Sequence, residues 1–227
     1  MKHSGKARRA AFRIVFWTLL VLLALLATIV IATLIGRYAA AIAIALAAAW
    51  TVFAAFTLYF FRDPAPATPN IPNAIVSPAQ GKVDLIDETA ESEFMGGPCR
   101  RVSIFLSVVD VHVQRAPIIG QLVFSKHKDG QFLSATKSDC GDFNENALLG
   151  FQSTELAGRK LAVRLIAGLI ARRINVWTQT GDTVARGELI SLIQFGSRAH
   201  LYLPLDAKVH VKLGDRVKVG ETLIASF

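Results

Sequence analysis

Thr180-Gly181-Asp182-Thr183-Val184-Ala185-Arg186-Gly187-Glu188-Leu189-Ile190 recurs 33 positions later as Leu213-Gly214-Asp215-Arg216-Val217-Lys218-Val219-Gly220-Glu221-Thr222-Leu223. The shared G-D-x-V-x-x-G-E core predicts a tight turn, one buried Val, a second turn and then a strand. Further out, Pro78-Ala79-Gln80-Gly81-Lys82-Val83, Pro117-Ile118-Ile119-Gly120-Gln121-Leu122 and Pro204-Leu205-Asp206-Ala207-Lys208-Val209 echo one another. Val102–Leu106, Lys160–Ile166 and Leu189–Ile193 are short, β-branched and partly alternating, with Gly, Asp and Asn between them, which predicts strands. No long stretch after Phe61 has a clean helical period. Residues 76–227 therefore read as mainly β.

The chain in front has another character. Of 227 residues, 52% are hydrophobic and 19% charged, with a mean hydropathy of +0.43. This points to membrane segments and excludes disorder of the whole. Ile14–Ile35 and Tyr38–Phe61 carry no charge and are separated by Gly36-Arg37; each is long enough to cross a bilayer core of about 30 Å. The first run exceeds the roughly 7–15 residues of a signal-peptide core, and a second run follows at once. A buried helical hairpin of a soluble core is the alternative. Lys2, Lys6, Arg8, Arg9 and Arg13 precede the first run and Arg37 alone stands in the turn, which predicts a cytoplasmic tail and a β domain on the cytoplasmic side. Trp17, Trp50, Tyr59, Phe60 and Phe61 include candidate interface anchors. The expected organisation is a basic tail (1–13), a transmembrane hairpin (14–61), a Pro-rich linker (62–75) and the β domain (76–227).

The net charge of +8 sits largely on the tail. From Pro64 onward 18 basic residues face 16 acidic ones, so no nucleic-acid partner is expected. Cys99 and Cys140 are too few for a disulfide framework, and no spacing suggests a metal site.

Together, the P-x-x-G-x-V and G-D-x-V-x-x-G-E halves resemble the barrel-sandwich fold of lipoyl and biotinyl domains. That opens one function class, a swinging-arm carrier or membrane-anchored adaptor. Lys82 and Lys208 are the candidate modified lysines, though neither has the flanking Met or Asp of such carriers.

Four features could carry chemistry. Asp110-Val111-His112 reads as one strand face, where a carboxylate could orient the imidazole, with Arg115 near its end as an anion contact. Phe195-Gly196-Ser197-Arg198 contains a Gly-Ser pair that alone means only a turn. In Ala167-Gly168-Leu169-Ile170-Ala171-Arg172-Arg173 a glycine beside a basic pair could bring backbone close to a headgroup, or simply be a bulge before a solvated patch. Asn144-Glu145-Asn146 reads as a polar turn.

In order, these strings resemble the phosphatidylserine decarboxylase family, in its short membrane-hairpin branch. The likeness is carried by Phe60-Phe61-Arg62-Asp63-Pro64, Val76–Val83, Ser103-Ile104-Phe105-Leu106-Ser107 through Pro117, Phe143–Asn146, Ile166–Arg173, and Phe195–Arg198 through Pro204. It implies an inner-membrane lyase of phospholipid biosynthesis, made as a zymogen. The proenzyme would cut itself between Gly196 and Ser197 into chains 1–196 and 197–227, leaving a pyruvoyl group derived from Ser197. That group would form a Schiff base with phosphatidylserine and release CO2 and phosphatidylethanolamine. The resemblance makes His112 the acid/base residue, and Arg115, Arg198, Arg172 and Arg173 candidate phosphate contacts. Assembly into homo-oligomers stays open.

One position departs from the pattern. Where the family carries Ser-Pro-Ala-Asp-Gly, this chain has Ser77-Pro78-Ala79-Gln80-Gly81, and neutral Gln80 cannot act as the base for self-cleavage, though it can position a group by hydrogen bonding. His200 stands where the short branch tends to have Asp, but three residues along a strand puts it on the face opposite Ser197. A processing-deficient lipid-binding homologue is therefore the second reading.

Overall fold

The computed structural model describes residues 5–33, 38–133, 143–155, 158–169, 173–194 and 197–227. They fall into two compact units, Gly5–Asp63 and Pro64–Phe227.

In the first unit, Lys6–Thr33 (α1) and Tyr38–Phe60 (α2) are helices rich in Ala, Leu and Ile, with no Gly or Pro inside either. Their apolar stretches of 26 and 21 residues correspond to about 39 and 32 Å of helix. Only 6% and 11% of the most apolar window of each is buried. A hairpin in a soluble core would bury far more, so these helices suit a lipid surround and indicate membrane association. Their hydroxyls bond inward along the helix: Thr28 donates to Leu25 O, Thr51 to Ala47 O and Thr57 to Phe53 O, each at 2.8 Å. Trp50 Nε1 donates to Thr18 Oγ1 at 3.1 Å, joining the two helices.

The second unit is built from fourteen described strands: β1 (Ala74–Val76), β2 (Gly81–Glu91), β3 (Gly97–Leu106), β4 (Val113–Arg115), β5 (Gly120–Lys128), β6 (Asn146–Ser153), β7 (Lys160–Ala167), β8 (Ile174–Val176), β9 (Thr183–Val184), β10 (Leu189–Ile193), β11 (Ser197–Leu203), β12 (Lys208–Val209), β13 (Arg216–Val217) and β14 (Leu223–Ser226). Eight form a curled half-barrel in the order β13-β2-β3-β11-β7-β6-β5-β9, and two three-stranded sheets, β1-β14-β12 and β4-β10-β8, complete the fold. The core between them takes Ile104 and Leu106 from β3, Val163 and Leu165 from β7, Leu201 and Leu203 from β11, and Ile190, Ile193 and Ile224 from the small sheets. The expectation of a mainly β domain behind two apolar helices is met.

The sequence repeat is a repeat in space. Val76 N–H donates to Pro117 O at 2.9 Å, and Arg115 N–H returns the bond to Pro78 O at 3.0 Å. Each P-x-x-G-x-V segment is then hooked by one G-D copy. Gly214 N–H donates to Val83 O and Val83 N–H to Asp215 O (2.8 and 2.9 Å); Gly181 and Leu122 repeat this with Asp182 (2.7 and 2.9 Å). The pattern demands glycine at two kinds of place. Gly181 and Gly214 have φ of +99° and +94°, where a side chain is strained. At Gly81 and Gly120 the neighbouring strand comes so close that a Cβ would lie 2.1 Å from Phe105 O and 2.3 Å from Gln152 O. The third echo, Pro204–Val209, has no such mate and leads through a turn into β12.

Candidate active site

Ser197 opens β11, flanked by Leu106 of β3 and Ala167 of β7. Alternation sends its side chain to the same face as the core residues Ala199 and Leu201. The residue is fully buried, and Oγ has no hydrogen-bond partner among the described residues. An unsatisfied buried hydroxyl is costly, which marks Ser197 as a candidate functional group.

The turn carrying His112 leaves β3 directly after Leu106. Asp110 N–H donates to Ser107 O at 2.9 Å, closing it, and Asp110 Oδ2 accepts from Ser107 N–H (2.9 Å) and Oγ–H (2.6 Å). The expected strand face is therefore corrected: residues 107–112 form a turn that only then enters β4, because the Asp110 carboxylate closes the loop locally. The imidazole is instead oriented by the Asp110 backbone carbonyl, 2.9 Å from Nδ1. A carbonyl only accepts, so Nδ1 carries hydrogen and Nε2 is the ring atom that can exchange a proton.

His112 is fully buried, and its own carbonyl accepts from Gln114 Nε2 (2.7 Å) and Ile193 N–H (3.2 Å). Gln114 Oε1 in turn accepts from Ser191 Oγ (2.8 Å). The turn is thus tied to β10, whose end leads toward Ser197. Sequence reading missed Gln114 and Ser191; the available signal was the single polar residue, Ser191, inside the otherwise apolar run Leu189–Ile193. It left Asn144 between a chemical role and an ordinary polar turn. Asn144 is buried and clamps the site's flank: Nδ2 donates to Leu133 O (2.9 Å) and to Ala167 O (2.7 Å), while Oδ1 accepts from Leu133 N–H (2.9 Å).

Gln80 lines a cavity of about 230 Å³ with Gly81, Asp110, Arg216, Val217 and Lys218. Asp110 is the carboxylate that shares this cavity with neutral Gln80. The arginines have separate fates. Arg115 is buried, with Nη1 donating to Gly187 O (2.8 Å) and Nη2 to Pro64 O (3.2 Å). Arg198 is fully buried on the face opposite Ser197, binding Asp84 with both Nη atoms (2.7 and 2.6 Å) and Ser103 Oγ (2.5 Å). Both guanidinium groups are taken up within the protein. Arg173 is exposed; Arg172 and Gly196 lie outside the described residues. His200 shares the Arg198 face, with Nδ1 3.3 Å from Tyr202 Oη. Burial, and then the charges of Arg101, Arg198 and Arg164, hold its pKa well below the usual imidazole value. It is placed to serve the sheet's packing and not to replace a base at Ser197.

Lys82 and Lys208 are exposed but sit within β2 and β12, paired to Phe105 and Ser226. Neither is at a hairpin tip, so neither is a swinging arm. A buried hydroxyl at the start of β11 and a tautomer-fixed imidazole in the turn that follows β3 are the candidate chemical groups of this fold. The chain belongs to the phosphatidylserine decarboxylase family, whose model matches residues 53–225. Proteins named phosphatidylserine decarboxylase proenzyme are similar to it. That of Desulfotalea psychrophila is 45% identical over 75% of this chain and 78% of its own length. That of Symbiobacterium thermophilum is 42% identical over 79% and 83%, and that of Pelobacter propionicus 36% identical over 87% and 88%.

Proposed function

We propose that this chain converts phosphatidylserine to phosphatidylethanolamine and CO2, using a pyruvoyl group that it makes from its own Ser197. The observation that carries this is the Ser197 hydroxyl, buried without a described partner, in a chain similar to proteins named as proenzymes.

Ser197 Oγ attacks the Gly196 carbonyl carbon, and its proton goes to the departing Ser197 nitrogen, leaving an ester. Loss of the Ser197 Cα proton with cleavage of the Cβ–Oγ bond releases the Gly196 carboxylate. Hydrolysis then frees ammonia and leaves the pyruvoyl end. That carbonyl supplies an electron sink for the pair left by departing CO2. The piece 197–227 would stay in place, because β11 is paired on both sides, by β3 and β7. His112, held through Nδ1, moves the proton at Nε2 that replaces CO2 on carbon. Arg172 and Arg173 meet the headgroup phosphate, while Arg115 and Arg198 hold the frame. Lys2, Lys6, Arg8, Arg9 and Arg13, all ahead of the uncharged run that begins at Ile14, support an inner-membrane location with the β domain on the cytoplasmic side.

The intact mass of the purified chain under denaturing conditions tests the reading. Two species, ending at Gly196 and starting at a blocked residue 197, are expected. A single uncut chain without turnover would favour the lipid-binding homologue that Gln80 brings into view.

A further inference from the structure

We infer that the end of the β domain bearing Ser197 is itself a lipid-docking surface, with exposed apolar side chains from several loops seated in the bilayer interface around the site. This rests on the lipid-decarboxylase reading above. Strand register places the loops together. A row of paired residues crosses the half-barrel from Arg216 through Lys82, Phe105, Arg198, Ile166 and Asn146 to Lys128. Just beyond that row the chain leaves β3, β5 and β7 and enters β6 and β11, all at one edge.

The loops at this edge expose Val108 (43%), Val109 (52%), Phe132 (37%), Leu133 (43%), Phe143 (55%) and Leu169 (67%). Among the described residues after Asp63, only three other large apolar side chains are comparably exposed: Ile71, Leu205 and Leu213. Single exposed apolar residues mean nothing, but gathered at one edge they mark an interaction surface. The three Asn144 amide bonds tie Leu133 to Ala167 and brace this edge. At the same edge Arg216 and Lys218 line the cavity with side chains 67% and 72% exposed. Apolar side chains interleaved with cations complement a bilayer carrying anionic headgroups. The substrate, an anionic lipid, would enter at this edge, and the apolar helices keep the chain at a membrane; both favour lipid over a protein partner.

The test uses the full chain, with Cys140→Ser, in vesicles of phosphatidylcholine and phosphatidylserine. An environment-sensitive dye is placed at Leu169→Cys, at Phe143→Cys and, as control, at Ala90→Cys. Ala90 is exposed, and its partner Pro98 lies eight residues along β3 from Leu106, about 26 Å away. Blue-shifted emission quenched by nitroxide lipid is expected at 169 and 143 but not at 90. Equal, water-like emission at all three would overturn the proposal, as would shielding that disappears on dilution, the sign of a second copy. In a second arm, the double variant Leu169→Asp, Phe143→Asp should lose about tenfold in turnover of vesicle-embedded phosphatidylserine. Its turnover of a short-chain, monomeric analogue should match the parent. Equal loss on both substrates would assign these loops to folding and sink the docking role. A parent chain with no turnover on either substrate defeats the enzyme reading, while the dye still decides docking.

Discussion

The β domain carries one backbone device twice, and the two copies bear different side chains. In both, a P-x-x-G segment crosses its mate, a G-D turn hooks the strand, and a glycine admits a close carbonyl. Gly220 N–H donates to Ser77 O and Gly187 N–H to Ala116 O, each at 2.8 Å. The side chains diverge on that common frame. Gln80, Arg216 and Lys218 in one half match Ile119, Thr183 and Ala185 in the other. The first set lines a cavity with Asp110. Their neighbours differ too: Lys82 pairs with Phe105, one residue from Leu106 opposite Ser197, whereas its counterpart Gln121 pairs with Gln152 toward the far end of β6. The duplicated frame supplies rigidity, and on the function proposed above the outcome depends on which half ends beside Ser197.

The largest expected effect removes the chemistry from its half. Ser197→Ala should leave one uncut chain by mass and reduce turnover by more than about a thousandfold, with the fold retained. His112→Ala comes next, with turnover lowered on the order of 10²–10⁴-fold; turnover at the parent level would end its acid/base role. The two halves can then be set against each other. Gly81→Ala and Gly120→Ala should each cost about 1–3 kcal/mol in a denaturant titration, because each Cβ meets a neighbouring strand's backbone. Only Gly81→Ala should also stop self-cleavage in folded protein, and equal processing in both would erase the asymmetry. Gln80→Asp should speed cleavage by about tenfold in a time course, while Ile119→Asp should leave the cleavage rate of folded chains unchanged. A slower or unchanged Gln80→Asp chain would mean that this site has settled on another arrangement.

The smallest effect concerns the outer face. His200 is held neutral in the fold below its ordinary value of 6.5 by burial and three arginines. The unfolded chain therefore binds the extra proton as pH falls below about 6.5, and stability drops through that window. His200→Gln should flatten the slope of unfolding midpoint against pH between about 5 and 7. An unchanged slope would show that another group carries it.

Much of the frame could be read directly. The paired glycines of G-D-x-V-x-x-G-E announce backbone that a side chain forbids, and the two long uncharged runs announce helices in lipid. The site was less legible. Asp110 and His112 were expected to share a strand face, but a carboxylate that can bond its own turn folds the chain locally. Arg115 and Arg198 were expected at the phosphate, but a guanidinium binds whichever acceptor is nearest, and here these are carbonyls and Asp84. Asn144 looked like a turn residue because nothing local shows that its amide will meet Leu133 and Ala167.

By itself, then, the sequence determined the helical hairpin, the duplicated β frame, the Gly196-Ser197 pair and the family. These depend on hydropathy, spacing and backbone sterics, which act over a few residues. Tertiary structure decided which half of the frame lines the cavity with Asp110, how the His112 ring is held, which arginines are committed to the fold and which edge gathers the exposed apolar loops. Those outcomes depend on partners far apart in the chain, brought to hydrogen-bonding distance only when the strands pair.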